Sequence, residues 1–329
     1  MEFTGSPQDQ KPNKKFLCFG LVMLDILLTG VEKLPEHWEE TVFAKEVFRS
    51  TGGGASNSAI TLGRLGAMVE LAGKIGDDDF GSAIADELRK NGVSTEKLLR
   101  QAGVPSGVAM GLVNPGGKRC FITARGANNH LDPKEFDISF KGRYDFFFIN
   151  GFFQFPQAEA ALLELSRELS QKGVKIAFDM ASWDGSGRWM QAAAPFLPVI
   201  DYFFTNSSQL EALTKEREQD SGAAFLIEKG AGKIIVKMGA RGCKIYGEET
   251  IEVSAPDLPV KDTTGAGDSF DSAWLFAHAL GWTDYECGAF GNMVAGINCG
   301  SLGATGGVPG YDTALKEMAR HYPLPKGVA

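Results

Sequence analysis

The chain has 329 residues, 43% hydrophobic and 22% charged, enough for a sizeable core in one large α/β domain or in two domains. Its net charge of −8 and pI near 5.2 argue against a nucleic-acid backbone or an acidic membrane surface as partner, and no apolar stretch is long enough to span a bilayer. Five scattered cysteines and four scattered histidines give no disulfide framework and no zinc-ligand spacing, which fits reduced thiols in a cytoplasmic protein.

In chain order, residues 1–15 are polar, carry Pro7 and Pro12, and read as a loose N-terminal tail before a folded region over 16–329. Residues 16–28 form an apolar run expected to be one buried strand, with Asp25 near its end. Residues 41–50 alternate as an exposed strand does, 58–65 read as a helix stopped at Gly66, and 69–72 as a short strand. Ile84 and Leu88 set a helix over 80–91, with Gly92 as its stop. Residues 107–113 and 119–125 flank Asn114-Pro115-Gly116-Gly117, a hairpin turn. Strands are then expected at 145–150, 174–179, 201–205, 233–238 and 243–246. The expected helices are 157–171, 188–195, 207–214, 222–229, 265–280, 284–300 and 312–320. This alternation predicts an α/β fold, a mainly parallel sheet flanked by helices. Segments near 28–50 and 105–126 break the alternation and are expected to form a small antiparallel β appendage over the sheet edge.

The most informative segment is Asp262-Thr263-Thr264-Gly265-Ala266-Gly267-Asp268-Ser269-Phe270. Small residues opening a helix present unpaired backbone N–H groups and the positive end of the helix dipole, which suits an anion. A carboxylate beside such an anion has a use if it takes a proton from a nucleophile attacking a phosphoryl group; otherwise Asp268 is only a favourable dipole partner. The P-loop pattern is absent, and Phe270 occupies the position of the third glycine of a dinucleotide fingerprint. Gly52-Gly53-Gly54-Ala55-Ser56-Asn57 opens another helix, either as a ligand-facing loop or as a turn capped by Asn57. Asp25 in an apolar strand needs hydrogen bonds, from sugar hydroxyls or from an Arg or a turn. Asp77-Asp78-Asp79 reads as a solvated helix start. Asp179 and Asn206 end strands, where ligands sit in open α/β sheets. Gly239-Ala240-Arg241-Gly242 is either a hairpin turn or a close backbone approach to a nucleotide. Arg119 and Arg125, on the appendage, face either an anionic group or solvent.

Together these segments resemble the PfkB, or ribokinase-like, family of carbohydrate kinases, through the stretch from Gly52 to Gly81 and the stretch from Asp262 to Phe270. The resemblance implies ATP and Mg2+, in some members a monovalent cation such as K+, and a sugar phosphorylated on a primary hydroxyl, of ribose, fructose or 2-keto-3-deoxygluconate type. By that resemblance Asp268 is the catalytic base and Gly265, Ala266 and Gly267 form the anion hole. Asp25, Gly53 and Asn57 are sugar ligands, and Arg119 meets an anionic group of the substrate. Asn206, Gly239, Gly242, Thr263 and Asn292 fall at nucleotide-binding positions. The stretch 301–307 resembles a loop that holds the nucleotide or the cation. The β appendage becomes a lid over the sugar that pairs two subunits into a homodimer. Two departures stand out: Gln209 replaces the acid of Asn-x-x-Glu, and Gly54 stands where ribokinases commonly carry Lys. A nucleoside kinase, with Phe152, Phe153 and Trp183 as stacking surfaces, and a catalytically silent binder are the alternatives.

Overall fold

The structure, a computed structural model, describes residues 13–116, 119–138, 144–180 and 187–325. In chain order its strands are β1 (Lys15–Gly20), β2 (Met23–Thr29), β3 (Glu46–Gly52), β4 (Met68–Gly76), β5 (Val93–Ser94), β6 (Leu98–Gln101) and β7 (Gly107–Val113). They continue as β8 (Arg119–Ala124), β9 (Phe146–Asn150), β10 (Lys175–Asp179), β11 (Tyr202–Asn206), β12 (Lys233–Lys237), β13 (Cys243–Tyr246) and β14 (Thr250–Val253). The helices are α1 (Gly54–Leu65), α2 (Asp79–Lys90), α3 (Glu159–Gln171), α4 (Trp189–Ala193), α5 (Ser207–Thr214), α6 (Gln219–Glu228), α7 (Ala266–Ala279), α8 (Asp284–Asn298) and α9 (Tyr311–Met318). Residues 1–12 of the tail expected at 1–15, part of the turn after Asn114 and Trp183 lie outside the described residues, and Lys15 of that expected tail already begins β1.

Strands as uniformly apolar as Phe-Phe-Phe-Ile in β9, buried at every position, are stable only with both sheet faces covered. The large sheet runs β14-β13-β12-β11-β10-β9-β1-β4-β5, with β6 also on β4. All its pairings are parallel except β12–β13 and β13–β14. Pleating sends alternate residues to opposite layers. Phe148 and Phe204 join the core under α1, α7 and α8, while Phe147, Phe178 and Phe203 join the one under α3, α5 and α6. Fully buried Trp274 seats α7, packing against Tyr202 and Phe204 and stacking on His278 at 5.1 Å.

The second sheet has the order β3-β2-β7-β8. β2–β3 and β7–β8 pair antiparallel, and β2 and β7 meet along a parallel seam. It corrects one expectation: residues 16–28 are not one strand but two, β1 and β2, in different sheets. At the break Gly20 has φ 150° and lies so close to the Asn150 carbonyl that a Cβ would overlap it. The Asn128 side chain then accepts from the Val22 N–H at 3.0 Å and donates to the Val22 carbonyl at 2.9 Å, taking the place of a strand partner. The strand expected over 41–50 begins only at Glu46, and the short β5, β6 and β14 carry no period that marks them beforehand.

Candidate active site

Five adjacent parallel strands, β1, β9, β10, β11 and β12, end at Gly20, Asn150, Asp179, Asn206 and Lys237. Their carboxyl edge is therefore polar above an apolar sheet, the place where open α/β sheets bind ligands. Two helices start at this edge with a positive-φ glycine and no side-chain cap: α1 after Gly53 (φ 89°) and α7 after Gly265 (φ 70°). At both glycines a Cβ would overlap backbone, of Leu21 and of Ala304 respectively, so glycine is required twice over. With no side-chain cap, no side chain competes for the first N–H groups of either helix; of those in α7, the Ala266 N–H makes one long bond, 3.3 Å, to the Thr263 carbonyl.

α1 and α7 pack against each other, which brings Asn57 to Asp268. The Asn57 amide donates to Asp268 Oδ2 at 2.8 Å, and the Asn150 amide donates to Oδ1 at 3.0 Å while also reaching Ser58 Oγ at 2.9 Å. Gly54 makes room for Asn150, whose Oδ1 a Cβ there would overlap. Enclosure pushes the Asp268 carboxyl up to about 6, and Asp179 adds to the rise; the two amides and Lys237 oppose it. A carboxylate so held is oriented and still able to accept a proton near neutrality.

Asp25, on β2, is buried and makes no side-chain hydrogen bond among the described residues. Burial and the Asp268 and Asp262 carboxylates push it up to about 7. Gly52 lies against it, so close that a Cβ would overlap the carboxylate. Asp25, Gly53 and Asn57 thus share the α1 side of the site with Asp268. Arg119, first residue of β8, reaches a different feature: it donates to Thr263 Oγ1 at 2.8 Å and contacts Asp262 and Thr264 Oγ1. Asp262 in turn accepts from the Thr264 hydroxyl at 2.6 Å and from the Thr264 and Gly303 N–H groups, each at 2.9 Å; against the rise from partial burial, these bonds and the Arg119 charge hold it below the usual carboxylate range. Arg119 ties the small sheet to the segment leading into α7.

On the other side of Asp268 opens a cleft of about 670 Å³, lined by Asp179, Asn206, Gln209, Lys237, Gly239 and Gly267 among others. Asn206 caps α5: its Oδ1 accepts from the Gln209 N–H at 2.9 Å while Gln209 Oε1 accepts from the Asn206 N–H at 3.0 Å. Gln satisfies this capping box as Glu does, so the departure leaves the start of α5 intact. Gly239 (φ 60°) opens the turn between β12 and β13 at the cleft wall. Gly242 does not line the cleft; its φ of 95° and close fit against the Val253 carbonyl make it a packing position. Asn292 is likewise spent on the fold, donating to the Val253 carbonyl at 3.0 Å. Phe152 and Phe153 are buried in the core against Phe178, Phe196 and Trp189, so neither offers a face to a ligand. Asp78 caps α2 and also accepts from the Ser106 N–H and hydroxyl, at 2.8 and 2.6 Å.

Sequence reasoning missed Asn150, Lys237 and Asp271. The signal for the first two was available: each is the polar last residue of an apolar strand, the rule that singled out Asp179 and Asn206. Asp271 had none beyond lying one turn after Asp268.

The family profile for "pfkB family carbohydrate kinase" matches residues 13–310. An uncharacterized sugar kinase of Archaeoglobus fulgidus is 31% identical over 253 residues, covering 75% of this chain and 98% of that protein. Among solved structures, Arabidopsis thaliana ribokinase complexed with ribose and ATP superposes with a TM-score of 0.81 at 23% identity, over 93% of this chain and 98% of that one. A putative ribokinase II of E. coli, in complex with ATP and Mg2+, superposes with a TM-score of 0.81 at 21% identity, over 94% and 99%. With a glycine-led helix start, an enclosed carboxylate at it and a cleft beside it, the chain belongs to the pfkB family of carbohydrate kinases, phosphotransferases that act on an alcohol group.

Proposed function

We propose that this enzyme transfers the γ-phosphate of ATP to a primary hydroxyl of a monosaccharide of ribose, fructose or 2-keto-3-deoxygluconate type. One observation carries the reading: Asp268 is held by Asn57 and Asn150 at the start of α7, with the sugar-side residues on one flank and the 670 Å³ cleft on the other. The acceptor hydroxyl gives its proton to Asp268 as its oxygen forms a bond to the γ-phosphorus, and the bond to the β-phosphate oxygen breaks. The N–H groups of Gly265, Ala266 and Gly267 take the charge on the phosphoryl oxygens. Asp25, the Gly53 backbone and Asn57 bind sugar hydroxyls; Asn57 Oδ1, enclosed without a partner among the described residues, suits a hydroxyl donor. Asn206, Gly239 and Thr263 sit where the nucleotide would pass. For Gly242 and Asn292 the reading is narrower: they hold the backbone behind that site.

Magnesium fits this cleft, because a polyphosphate facing Asp179 and Asp268 needs a cation, which phosphate oxygens and water would hold. It would offset charge on the phosphates when bound. A potassium ion fits the 301–307 loop poorly: the Ala304 carbonyl already accepts from Asn298 at 2.8 Å, and the Thr305 carbonyl from Arg64. The small sheet serves as the lid, anchored through Arg119. Val47, Phe48, Met110, Phe121 and Ile122 leave apolar surface exposed on it, which supports a homodimer through the lid. The five free cysteines support a cytoplasmic setting.

The test is ADP release from magnesium-ATP against ribose, fructose, 2-keto-3-deoxygluconate, tagatose 6-phosphate, fructose 1-phosphate, adenosine and inosine. A sugar responder confirms the reading. A nucleoside-only response moves it to a nucleoside kinase, and binding without turnover moves it to a silent binder.

A further inference from the structure

β12 reads Lys-Ile-Ile-Val-Lys, and its last residue ends in an unusual place. The Lys237 ammonium lies between two carboxylates, Asp179 Oδ2 and Asp271 Oδ2, each at 2.8 Å, and the side chain is only 16% exposed. What exposure remains opens on the cleft, of which Lys237 is a wall. The nitrogen is 3.3 Å from where a Cβ on Gly267 would stand, so it lies over the first turn of α7. A second cation beside the positive end of a helix is unfavourable unless anions surround the pair, and Asp179 and Asp271 are those anions. The bland alternative is a buried ion triplet that only fastens β10, β12 and α7 together. Apolar residues of similar volume usually do that at least as well. They would not place an ammonium at the mouth of an anion site.

We propose that Lys237 is a catalytic residue: its ammonium contacts the terminal phosphate of the donor across Gly267. The proposal rests on the kinase reading above. As the acceptor oxygen bonds to phosphorus and the bond to the β-phosphate oxygen breaks, Lys237 keeps its proton and meets the charge passing to the leaving oxygen; the acceptor's proton goes to Asp268.

The experiment compares wild type, Lys237→Met and Lys237→Met/Asp271→Asn, the last removing the charge that the first leaves unpaired. Turnover is measured with whichever acceptor responds, melting temperature by scanning fluorimetry, and affinities for AMP-PNP and AMP by calorimetry. Expected are a fall in kcat of about 10²-fold in both variants with acceptor KM within about threefold of wild type. AMP-PNP should bind about tenfold more weakly while AMP binding holds, and the melting temperature should recover in the double variant. If the double variant recovers kcat along with its stability, or binds AMP-PNP as wild type does, Lys237 is a counter-ion only and the proposal fails. Should wild type phosphorylate nothing, the kinase reading falls, and the AMP-PNP and AMP affinities still decide whether Lys237 meets phosphate.

Discussion

α1 and α7 begin alike and end up with opposite chemistry. Each follows a positive-φ glycine wedged against backbone, each lacks a side-chain cap, and each buries most of its length. The first turn of α1 carries no acid, and its fourth residue is the amide Asn57; the first turn of α7 carries Asp268. The two side chains meet in one hydrogen bond of 2.8 Å. One backbone device, used twice, thus gives a neutral edge suited to hydroxyls and an anion-binding edge with a base, and the contact between them is where transfer would occur.

The harshest test of that contrast makes the two edges chemically equal. Asp268→Asn should lower kcat by about 10³-fold, with sugar and nucleotide binding retained. In wild type, kcat/KM should rise as pH climbs through about 6, because the base must be ionised. Stability should run the other way. The folded-state value near 6 lies above the ordinary 3.8, so protonating Asp268 stabilises the fold as pH falls, and ionising it removes that contribution. Melting temperatures should therefore favour the Asn variant at pH 8 and converge with wild type near pH 4. Near-normal turnover in the variant would remove Asp268 from the chemistry.

Next in size, Gly265→Ala and Gly53→Ala should separate the two edges kinetically. Both force a Cβ into backbone at positive φ, at a cost of about 1–3 kcal/mol each. Gly265→Ala should lower kcat about 10²-fold, since the anion site is distorted. Gly53→Ala should act mainly through the sugar KM, about tenfold. Equal effects on both parameters would mean that the two starts form one indivisible site.

Asn150→Leu works on the seam itself. It removes one of the hydrogen bonds that favour the ionised Asp268, so the acid limb of the pH profile should move to higher pH, with a loss of about tenfold in kcat/KM at pH 6. An unmoved limb would show that another group sets it.

Much of this was legible in the order of residues. Glycine-led starts at Gly53 and Gly265 advertise themselves, because few other residues tolerate their backbone, and Asp268 follows at a fixed helical offset. The parallel sheet announced itself through apolar runs alternating with helices. What failed were features set by partners distant in the chain. The break at Gly20 depends on Asn128 and Asn150, neither visible from 16–28. Gly239 and Gly242 look equivalent on paper, yet only the first reaches the cleft, because Gly242 is packed against β14. Lys237 looked like an ordinary strand end until Asp179 and Asp271, 58 and 34 residues away, closed on it.

A third helix start at the same cleft supplies the smallest effect and the control. α5 is capped by Asn206 and Gln209, so side chains already engage the Asn206 and Gln209 N–H groups, whereas no side chain caps α1 or α7. If the lack of a side-chain cap is what makes a glycine-led start functional, α5 is a wall and not a ligand. Gln209→Glu keeps the capping box and places an acid in the helix's first turn, so stability at pH 7 should hold or rise by a few tenths of a kcal/mol. Gln209→Ala loses half the box and should cost about 1 kcal/mol by urea denaturation, with kcat within about threefold of wild type. A loss of kcat as large as that of Gly265→Ala would instead put α5 among the groups that handle the phosphates, and the contrast between capped and uncapped starts would no longer sort wall from site.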